Sequence, residues 1–274
     1  MSSDSPNVVL EVKDSAAIVR LDRAERMNAF TFKMIAEIRK AVERAAADEN
    51  AVGIIITGTG RAFSAGLDAV DLARSASGTA QSDIESSAPS TDDLPALFSY
   101  LLRISKPVIA AVNGVAAGGG FVLAMMCDLR FAAESASFTT VFSKRGLIAE
   151  HGTSYLLPRL VGTSRALDLL WSSRRFDAAE ALRIGFIDRI VPNDRLLDEA
   201  CAYIRDLAAN VSPRSLAVIK AQVYSHLSLS MPEAIRHADK VMNEALTHPD
   251  ATEGVASFVE RRPPRFQRWK GEKI

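Results

Sequence analysis

Two glycine-containing segments carry the residue types and spacing best suited to chemistry. Residues 63–68 read Phe-Ser-Ala-Gly-Leu-Asp, and residues 113–120 read Asn-Gly-Val-Ala-Ala-Gly-Gly-Gly. Each follows a strand-like run and is predicted to open a helix, where backbone N–H groups are unpaired and the helix dipole is positive. If the amides of Leu67 and Gly119 converge, they form an oxyanion hole that stabilises negative charge on a carbonyl oxygen. Glycine at 118–120 is expected to let a substrate approach the backbone closely.

Other functions of glycine-rich loops fit these segments poorly. Phe63 stands where a dinucleotide-binding fingerprint beginning at Gly58 needs its third glycine. The run 114–120 is not followed by the Lys-Ser or Lys-Thr of a phosphate-binding loop. Ala62 replaces the first glycine of a nucleophile elbow around Ser64. We therefore interpret Ser64 as a small residue in a turn, with a serine hydrolase as a minor alternative.

Glu150 is the carboxylate nearest to a third turn signal, His151-Gly152. On spacing alone, a surface or helix-cap carboxylate is as good an interpretation as a catalytic one. His151 is the one histidine outside the helical C-terminal part of the sequence, where His226, His237 and His248 lie. It could orient Glu150, although a solvent-facing histidine is the simpler expectation.

Alternating strand and helix patterns must position these segments. The periodicity predicts strands at 8–12, 16–21, 53–57, 107–112 and 129–133, and helices at 31–48, 97–104, 121–127, 165–171, 178–184, 194–210, 213–225 and 232–247. A rhythm of strand, glycine turn and helix occurs twice. Residues 75–95 are rich in Ser, Ala, Gly, Thr and Asp and are predicted to form a mobile loop or weak helix. A soft domain boundary is placed near residue 200.

The composition is that of an ordinary globular chain. It has 274 residues, 48% of them hydrophobic, with 33 basic and 33 acidic side chains. This balance argues against a polyanionic partner such as nucleic acid. A basic cluster near the C-terminus is either a solvated tail or a contact for a phosphorylated small molecule; it comprises Arg261, Arg262, Arg265, Arg268 and Lys270.

The two cysteines, Cys127 and Cys201, cannot form a disulfide framework, which favours a reducing compartment. The first residues lack the basic and apolar pattern of a signal peptide, and no membrane-spanning segment is expected. We therefore expect a cytoplasmic protein.

Six segments in order along nearly the whole chain resemble the crotonase superfamily, the enoyl-CoA hydratase/isomerase family. They are residues 21–29, 54–58, 63–68, 106–114, 118–128 and 157–162. The resemblance implies an α/β fold, a crotonase-like spiral of ββα units with a C-terminal helical region. Residues 1–200 would form the spiral core that binds acyl-CoA, and residues 201–274 a helical trimerisation region. The implied assembly is a homotrimer or a dimer of trimers.

The same resemblance implies the substrate and its binding residues. The substrate would be an acyl-CoA thioester, with coenzyme A as part of the substrate and no separate cofactor or metal. Leu67 and Gly119 match the oxyanion-hole positions. Arg26, Ala65, Leu67 and Asp68 match the part that cradles coenzyme A. For Asp68, a helix-start carboxylate that satisfies its own amides is an equally good interpretation.

The resemblance also bears on the reaction. The hydratases of the family hold a water between two glutamates, and the matching positions here are Val122 and Phe142. These side chains cannot carry a proton, and they are expected to line the acyl pocket. Glu150, eight residues beyond Phe142, matches the single base of a branch that contains Δ3,Δ2-enoyl-CoA isomerases. An isomerase needs only one carboxylate, because the proton removed from C2 can return at C4.

Three functions remain open at this point. The favoured one is an isomerase-like proton transfer in fatty acid metabolism that uses Glu150, Leu67 and Gly119. The second is a non-catalytic acyl-CoA binding protein. The third is hydration or another CoA-thioester reaction that uses a different carboxylate.

Overall fold

The computed structural model describes residues 6–76, 94 and 96–269. Their strands are β1 Val8–Lys13, β2 Ala16–Leu21, β3 Gly53–Gly58, β4 Ala62–Ser64, β5 Val108–Val112, β6 Val115–Ala117, β7 Leu129–Ala133, β8 Ser137–Thr139, β9 Phe176–Asp177 and β10 Arg189–Val191. Their helices are α1 Phe32–Ala47, α2 Ala69–Ala76, α3 Gly119–Met126, α4 Thr153–Val161, α5 Thr163–Ser172, α6 Ala178–Ile184, α7 Leu196–Asn210, α8 Pro213–His226, α9 Met231–Leu246 and α10 Pro249–Glu260.

The strands form two sheets. The larger has the order β1-β2-β3-β5-β7-β10 and is parallel except for β1, and the smaller has the order β4-β6-β8-β9 and is parallel except for β9. Two strands, one in each sheet, are followed by a helix three times: β3-β4-α2, β5-β6-α3 and β7-β8-α4. The sequence pattern showed only two of these rounds, because helix α4 of the third was not predicted. It also missed the second strand of every round, since each is only three residues long.

Both faces of the larger sheet are covered, which explains why β3 and β5 are apolar runs without alternation. On one face, α7 packs Ala200 and Ile204 against Ile55, Ile109 and Phe131. On the other, α1 buries a stripe of residues at helical spacing: Met34, Ile38, Ala41, Val42 and Ala45. The Thr31 side chain caps α1 by accepting a hydrogen bond from the Met34 amide at 3.1 Å.

Several predicted elements need correction. The helix expected at 97–104 is a short 3-10 helix, Ser99–Arg103. Helix α4 was not predicted because Pro158 lies inside it and reads as a helix breaker. Helix α10 was also missed. The loop expected at 75–95 falls mostly outside the described residues.

Helix α8 is tied to the larger sheet through one partly buried carboxylate. Asp128, the residue before β7, accepts hydrogen bonds from Lys220 Nζ at 2.7 Å and from the Tyr224 hydroxyl at 2.9 Å. Residue 200, the predicted boundary, lies within α7. In the part of the chain that the structure describes, no helix combines the length and apolar character needed to cross a membrane.

Candidate active site

Three parallel strands bring the predicted site residues to one edge of the smaller sheet. In this sheet β4 pairs with β6, and β6 pairs with β8. The chain leaves β4 toward Leu67, leaves β6 toward Gly119 and leaves β8 toward Phe142. Because the strands are parallel, their carboxyl ends lie side by side, and so do the three segments that follow them.

The backbone at Gly66, the residue before Leu67, lies in direct contact with the backbone at Gly119. A Cβ atom built on Gly66 would lie 3.0 Å from the Gly119 nitrogen, and one built on Gly119 would lie 3.6 Å from the Gly66 Cα. Gly66 has a φ of 90°, a left-handed conformation that glycine adopts without strain. We call residues 64–67 and 118–120 the amide edge.

Two amides at this edge have no partner within the described residues. The Phe30 amide donates to the Gly66 carbonyl at 2.7 Å, and the Asp68 amide donates to the Phe30 carbonyl at 2.8 Å. The Leu67 amide between them donates to none of the described residues, and neither does the Gly119 amide. Gly119 is also the first residue of α3, where the helix dipole adds partial positive charge. The two N–H groups are therefore free to donate to an external oxygen.

The glycines at 119 and 120 also serve packing within the protein, a role that the sequence did not suggest. A Cβ atom on Gly119 would lie 3.3 Å from the Phe30 ring, and one on Gly120 would overlap the Ser64 carbonyl oxygen. The absence of side chains lets α3 lie directly on β4.

Ser64 is structural rather than nucleophilic. Its side chain is fully buried, donates to the Asn28 carbonyl at 2.8 Å and accepts from the Gly66 amide at 3.1 Å. The hydroxyl therefore helps to shape the turn that presents Leu67.

Val122 and Phe142 lie in chain segments that adjoin the amide edge. Val122 follows Gly119 by three residues on α3, so both lie on the same face of the helix. Phe142 follows β8, and the Gly118 amide donates to the Thr139 carbonyl in that strand at 3.1 Å. Both side chains are buried. Neither side chain can donate, accept or carry a proton.

Val141, immediately before Phe142, has a φ of 56°. A left-handed conformation is an outlier for a β-branched residue and costs about 1–2 kcal/mol. The strained Val141 lies beside the amide edge: a Cβ atom built on Gly118 would lie 3.1 Å from Val141 Cγ2.

Glu150 lies in a turn before α4, within residues 142–152, which we call the carboxylate segment. Its carbonyl oxygen accepts from the Thr153 amide at 3.1 Å and from the Thr153 hydroxyl at 2.7 Å. Its side chain is 35% exposed, and Oε2 lies 3.7 Å from His151 Nε2. The backbone therefore starts α4 while the carboxylate stays available.

The carboxylate segment packs on the same helix that begins at the amide edge. A Cβ atom on Gly152 would lie 3.2 Å from Met126 Cε. Side chains on a helix lean toward its N-terminus, so this contact lies over the middle of α3 rather than at its end. Helix α3 thus connects Gly119, Val122 and the turn that carries Glu150.

Asp68 is engaged within the chain. One carboxylate oxygen accepts from Arg23 Nη1 at 2.8 Å, and the other accepts from the Val70 amide at 3.0 Å. The hydrogen bond from Arg23 is the largest cause that holds the pKa of Asp68 below its usual value. Arg26 is exposed nearby, and the Ala65 amide donates to the Met27 carbonyl at 3.0 Å.

Two asparagines that sequence reasoning did not single out hold the turns together. Asn28, fully buried, donates to the Thr59 and Ala62 carbonyls and accepts from the Arg23 amide. Asn113 accepts from the Gly58 amide and donates to the Gly60 carbonyl. At Asn113 the signal available was a polar residue that ends the apolar run 108–112 beside a turn, whereas Asn28 follows a charged stretch and gave no such signal.

Two cavities lie away from these residues. One, of about 250 Å³, is between the C-terminal tail and Lys106; the other, of about 200 Å³, is beside Cys127 and Tyr224. In the first cavity, Arg268 donates a hydrogen bond to the Asn50 side chain at 2.7 Å. Earlier in the tail, Arg262 forms an ion pair with Glu253 at 2.6 Å. Part of the basic cluster is therefore used in folding the tail back onto the protein.

Comparison with known proteins agrees with this architecture. A family model described as enoyl-CoA hydratase/isomerase matches residues 11–269. The chain is 34% identical over 259 residues to a probable enoyl-CoA hydratase, echA8, of Mycobacterium tuberculosis, covering 94% of this chain and 97% of that one. It is 35% identical over 256 residues to a probable mitochondrial enoyl-CoA hydratase of Dictyostelium discoideum, covering 93% and 89%.

The fold prediction is confirmed by solved structures. A crystal structure of enoyl-CoA hydratase from Bacillus anthracis superposes with a TM-score of 0.85 at 27% identity, covering 97% of this chain and 100% of that one. The mixed α/β architecture with its C-terminal helices is therefore the crotonase fold. The chain belongs to the enoyl-CoA hydratase/isomerase family, the crotonase superfamily.

Proposed function

We propose that this protein is a Δ3,Δ2-enoyl-CoA isomerase with Glu150 as its single base and the Leu67 and Gly119 amides as its oxyanion hole. The observation that carries the proposal is the pair of N–H groups, at Leu67 and Gly119, that have no acceptor among the described residues, with buried apolar Val122 and Phe142 in the adjoining segments. Such a site stabilises an enolate oxygen, and the positions expected to hold a water between two carboxylates, 122 and 142, carry apolar side chains instead.

The reaction follows from these parts. The thioester oxygen accepts hydrogen bonds from the Leu67 and Gly119 amides. Glu150 removes a proton from C2 of a 3-enoyl chain, and the electron pair moves onto the carbonyl oxygen to give a dienolate. Glu150 then returns the proton at C4, and the double bond moves from C3–C4 to C2–C3. No water enters, so the apolar wall formed by Val122 and Phe142 favours this outcome over hydration.

Coenzyme A is proposed to bind along the segments around Arg26, Ala65 and Asp68. The ion pair between Arg23 and Asp68 orders this turn. Arg26, which is exposed, supplies a cation for a phosphate of the ligand.

Hydration is the second candidate, and the names of the relatives favour it. It would require a carboxylate other than those expected at positions 122 and 142. A binding protein without turnover is the third.

The C-terminal region, residues 201–274, is proposed to assemble the chain into a homotrimer or a dimer of trimers. Its helices expose large apolar side chains that a partner copy would cover: Ile219, Val223, Met231, Met242, Leu246, Val255, Phe258 and Val259. The division at residue 200 remains part of this proposal.

The test is turnover of a 3-enoyl-CoA to the conjugated 2-enoyl-CoA, followed by ultraviolet absorbance. Glu150→Gln should lower kcat at least ~10²-fold while acyl-CoA affinity is kept, because it removes an acid–base group. Glu134→Gln, an exposed glutamate in the turn between β7 and β8, is the matched control and should leave turnover unchanged.

Other outcomes overturn the proposal in distinct ways. Conversion of 2-enoyl-CoA to the 3-hydroxy product without isomerisation would identify a hydratase. Binding of acyl-CoA without turnover of either substrate would identify a binding protein.

A further inference from the structure

His151 is held in place by its backbone and by its ring. Its φ of 53° is left-handed, a conformation that favours short polar side chains able to bond locally. The ring nitrogen Nδ1 accepts a hydrogen bond from the Leu97 amide at 3.5 Å. The other nitrogen, Nε2, lies 3.7 Å from Glu150 Oε2.

This arrangement selects one tautomer. A nitrogen that accepts a hydrogen bond carries no proton, so the neutral ring must carry its proton on Nε2. That N–H group is the one that faces the Glu150 carboxylate. The separation of 3.7 Å is longer than a hydrogen bond, as catalytic contacts often are before substrate binds.

The surroundings favour the neutral ring. Burial lowers the pKa of His151, and the negative charge of Glu150 opposes this in part. Among the described residues, Glu150 is the ionisable group whose charge acts on the ring. A neutral donor orients a carboxylate without the full countercharge that would reduce its ability to take up a proton.

We infer that His151 is a positioning residue for Glu150: anchored to the Leu97 amide, it directs its Nε2–H group at Oε2 and leaves Oε1 for the substrate proton. This inference rests on the proposed function, because it assigns a partner to the proposed base. The sequence alone favoured a solvent-facing His151, whereas this inference makes the ring part of the proposed active site.

Two substitutions separate the two contacts of the ring. Asn at 151 tolerates the left-handed backbone and offers Oδ1 to the Leu97 amide, but it cannot reach Glu150. Gln at 151 is long enough to place an amide N–H group at the carboxylate. His151→Asn should therefore lower kcat about tenfold with KM nearly unchanged, the effect of losing one hydrogen bond. His151→Gln should recover part of that loss.

A matched control exists on another helix. His248 caps α10, and its Nδ1 also accepts a backbone hydrogen bond, from the Asp250 amide at 3.1 Å. His248→Asn keeps that geometry far from Glu150 and should not change turnover. In the kcat/KM profile, His151→Asn should move the acid limb to higher pH, whereas His248→Asn should not.

The tautomer can be read without turnover, from nitrogen NMR of the histidine rings assigned by the same variants. A protonated Nε2 and an unprotonated Nδ1 in His151 are expected. A proton on Nδ1 overturns the inference, and so does full activity in His151→Asn while Glu150→Gln is inactive. Absence of isomerase turnover in the wild type, or full turnover in Glu150→Gln, overturns the proposed function itself.

Discussion

The amide edge and the carboxylate segment are built by opposite means. The amide edge is backbone packed against backbone, with Ser64 and Gly120 buried and in contact. In the carboxylate segment, residues 143–148 are all exposed, and Ile148 is 79% exposed. The proposed oxyanion hole is therefore positioned by close packing, whereas the proposed base is positioned by a turn and a few polar contacts.

This difference matters for what each region can tolerate. Close-packed backbone has no room for an added methyl group, so a change there disturbs the whole edge. An exposed turn absorbs substitutions locally, and its residues can change without loss of the fold. Within this scaffold, the reaction is thus easier to alter at the carboxylate than at the amides.

The largest difference in stability between the two regions is expected when one methyl group is added to each. Gly120→Ala should lower the free energy of unfolding by about 3 kcal/mol, at the upper end for overpacking, because the new Cβ overlaps the Ser64 carbonyl. Gly146→Ala is the control in the carboxylate segment: φ is 70° and nothing lies within 4 Å of a Cβ atom there. It should cost only about 1 kcal/mol of backbone strain. Urea denaturation measures both, and equal losses would remove the distinction.

A somewhat smaller effect is expected from the asparagine beneath the amide edge. Asn28→Ala should lower the free energy of unfolding by about 2–3 kcal/mol, because the Thr59 carbonyl loses its donor and the Arg23 amide loses its acceptor, while the Ala62 carbonyl keeps only the hydrogen bond from Asn113 Nδ2 at 3.2 Å. Asn210→Ala, on an exposed helix end, should stay within about 0.5 kcal/mol. If thermal denaturation finds the two alike, the edge does not depend on this side chain.

The smallest effect is a pH dependence confined to the carboxylate segment. The pKa of His151 is lowered by burial, so the folded segment favours the neutral ring. Its contribution to stability is present above the ordinary value of about 6.5 and is lost as pH falls through the lowered pKa. Protonation also removes the acceptor of the Leu97 amide.

Hydrogen exchange can detect this opening. The protection factor of the Leu97 amide should fall with acidification, while that of the Gly118 amide, bonded to the Thr139 carbonyl, should stay constant. His151→Asn should abolish the change. A parallel fall at both amides would mean that the two regions open together.

Much of the secondary structure was predictable from the periodicity of apolar residues. Strands β2 and β7 and helix α6 match their predicted bounds, because long apolar runs and well-capped helices leave strong local patterns. The short strands β4, β6 and β8 left no such pattern, since three residues are too few to show alternation. Helix α4 was hidden by Pro158, whose missing N–H group is tolerated within the folded helix.

The candidate site likewise has residues that the sequence identified and contacts that only the structure showed. Leu67 and Gly119 were named from the glycine turns, and Glu150 from the resemblance to the family. Val122 and Phe142 were recognised as apolar from the sequence alone. The packing role of Gly120, the use of both Asp68 oxygens within the chain and the buried bonds of Asn28 could not be read from spacing. Each involves residues far apart in sequence.

By itself, then, the sequence determined the kind of protein: an α/β chain of the enoyl-CoA hydratase/isomerase family with two glycine turns and one nearby carboxylate. Only the tertiary structure decided which amides have no acceptor among the described residues and which ring nitrogen faces Glu150. The physical reason is that local pattern encodes strands, helices and caps, whereas a free N–H group or a chosen tautomer depends on whether a distant segment brings an acceptor to it.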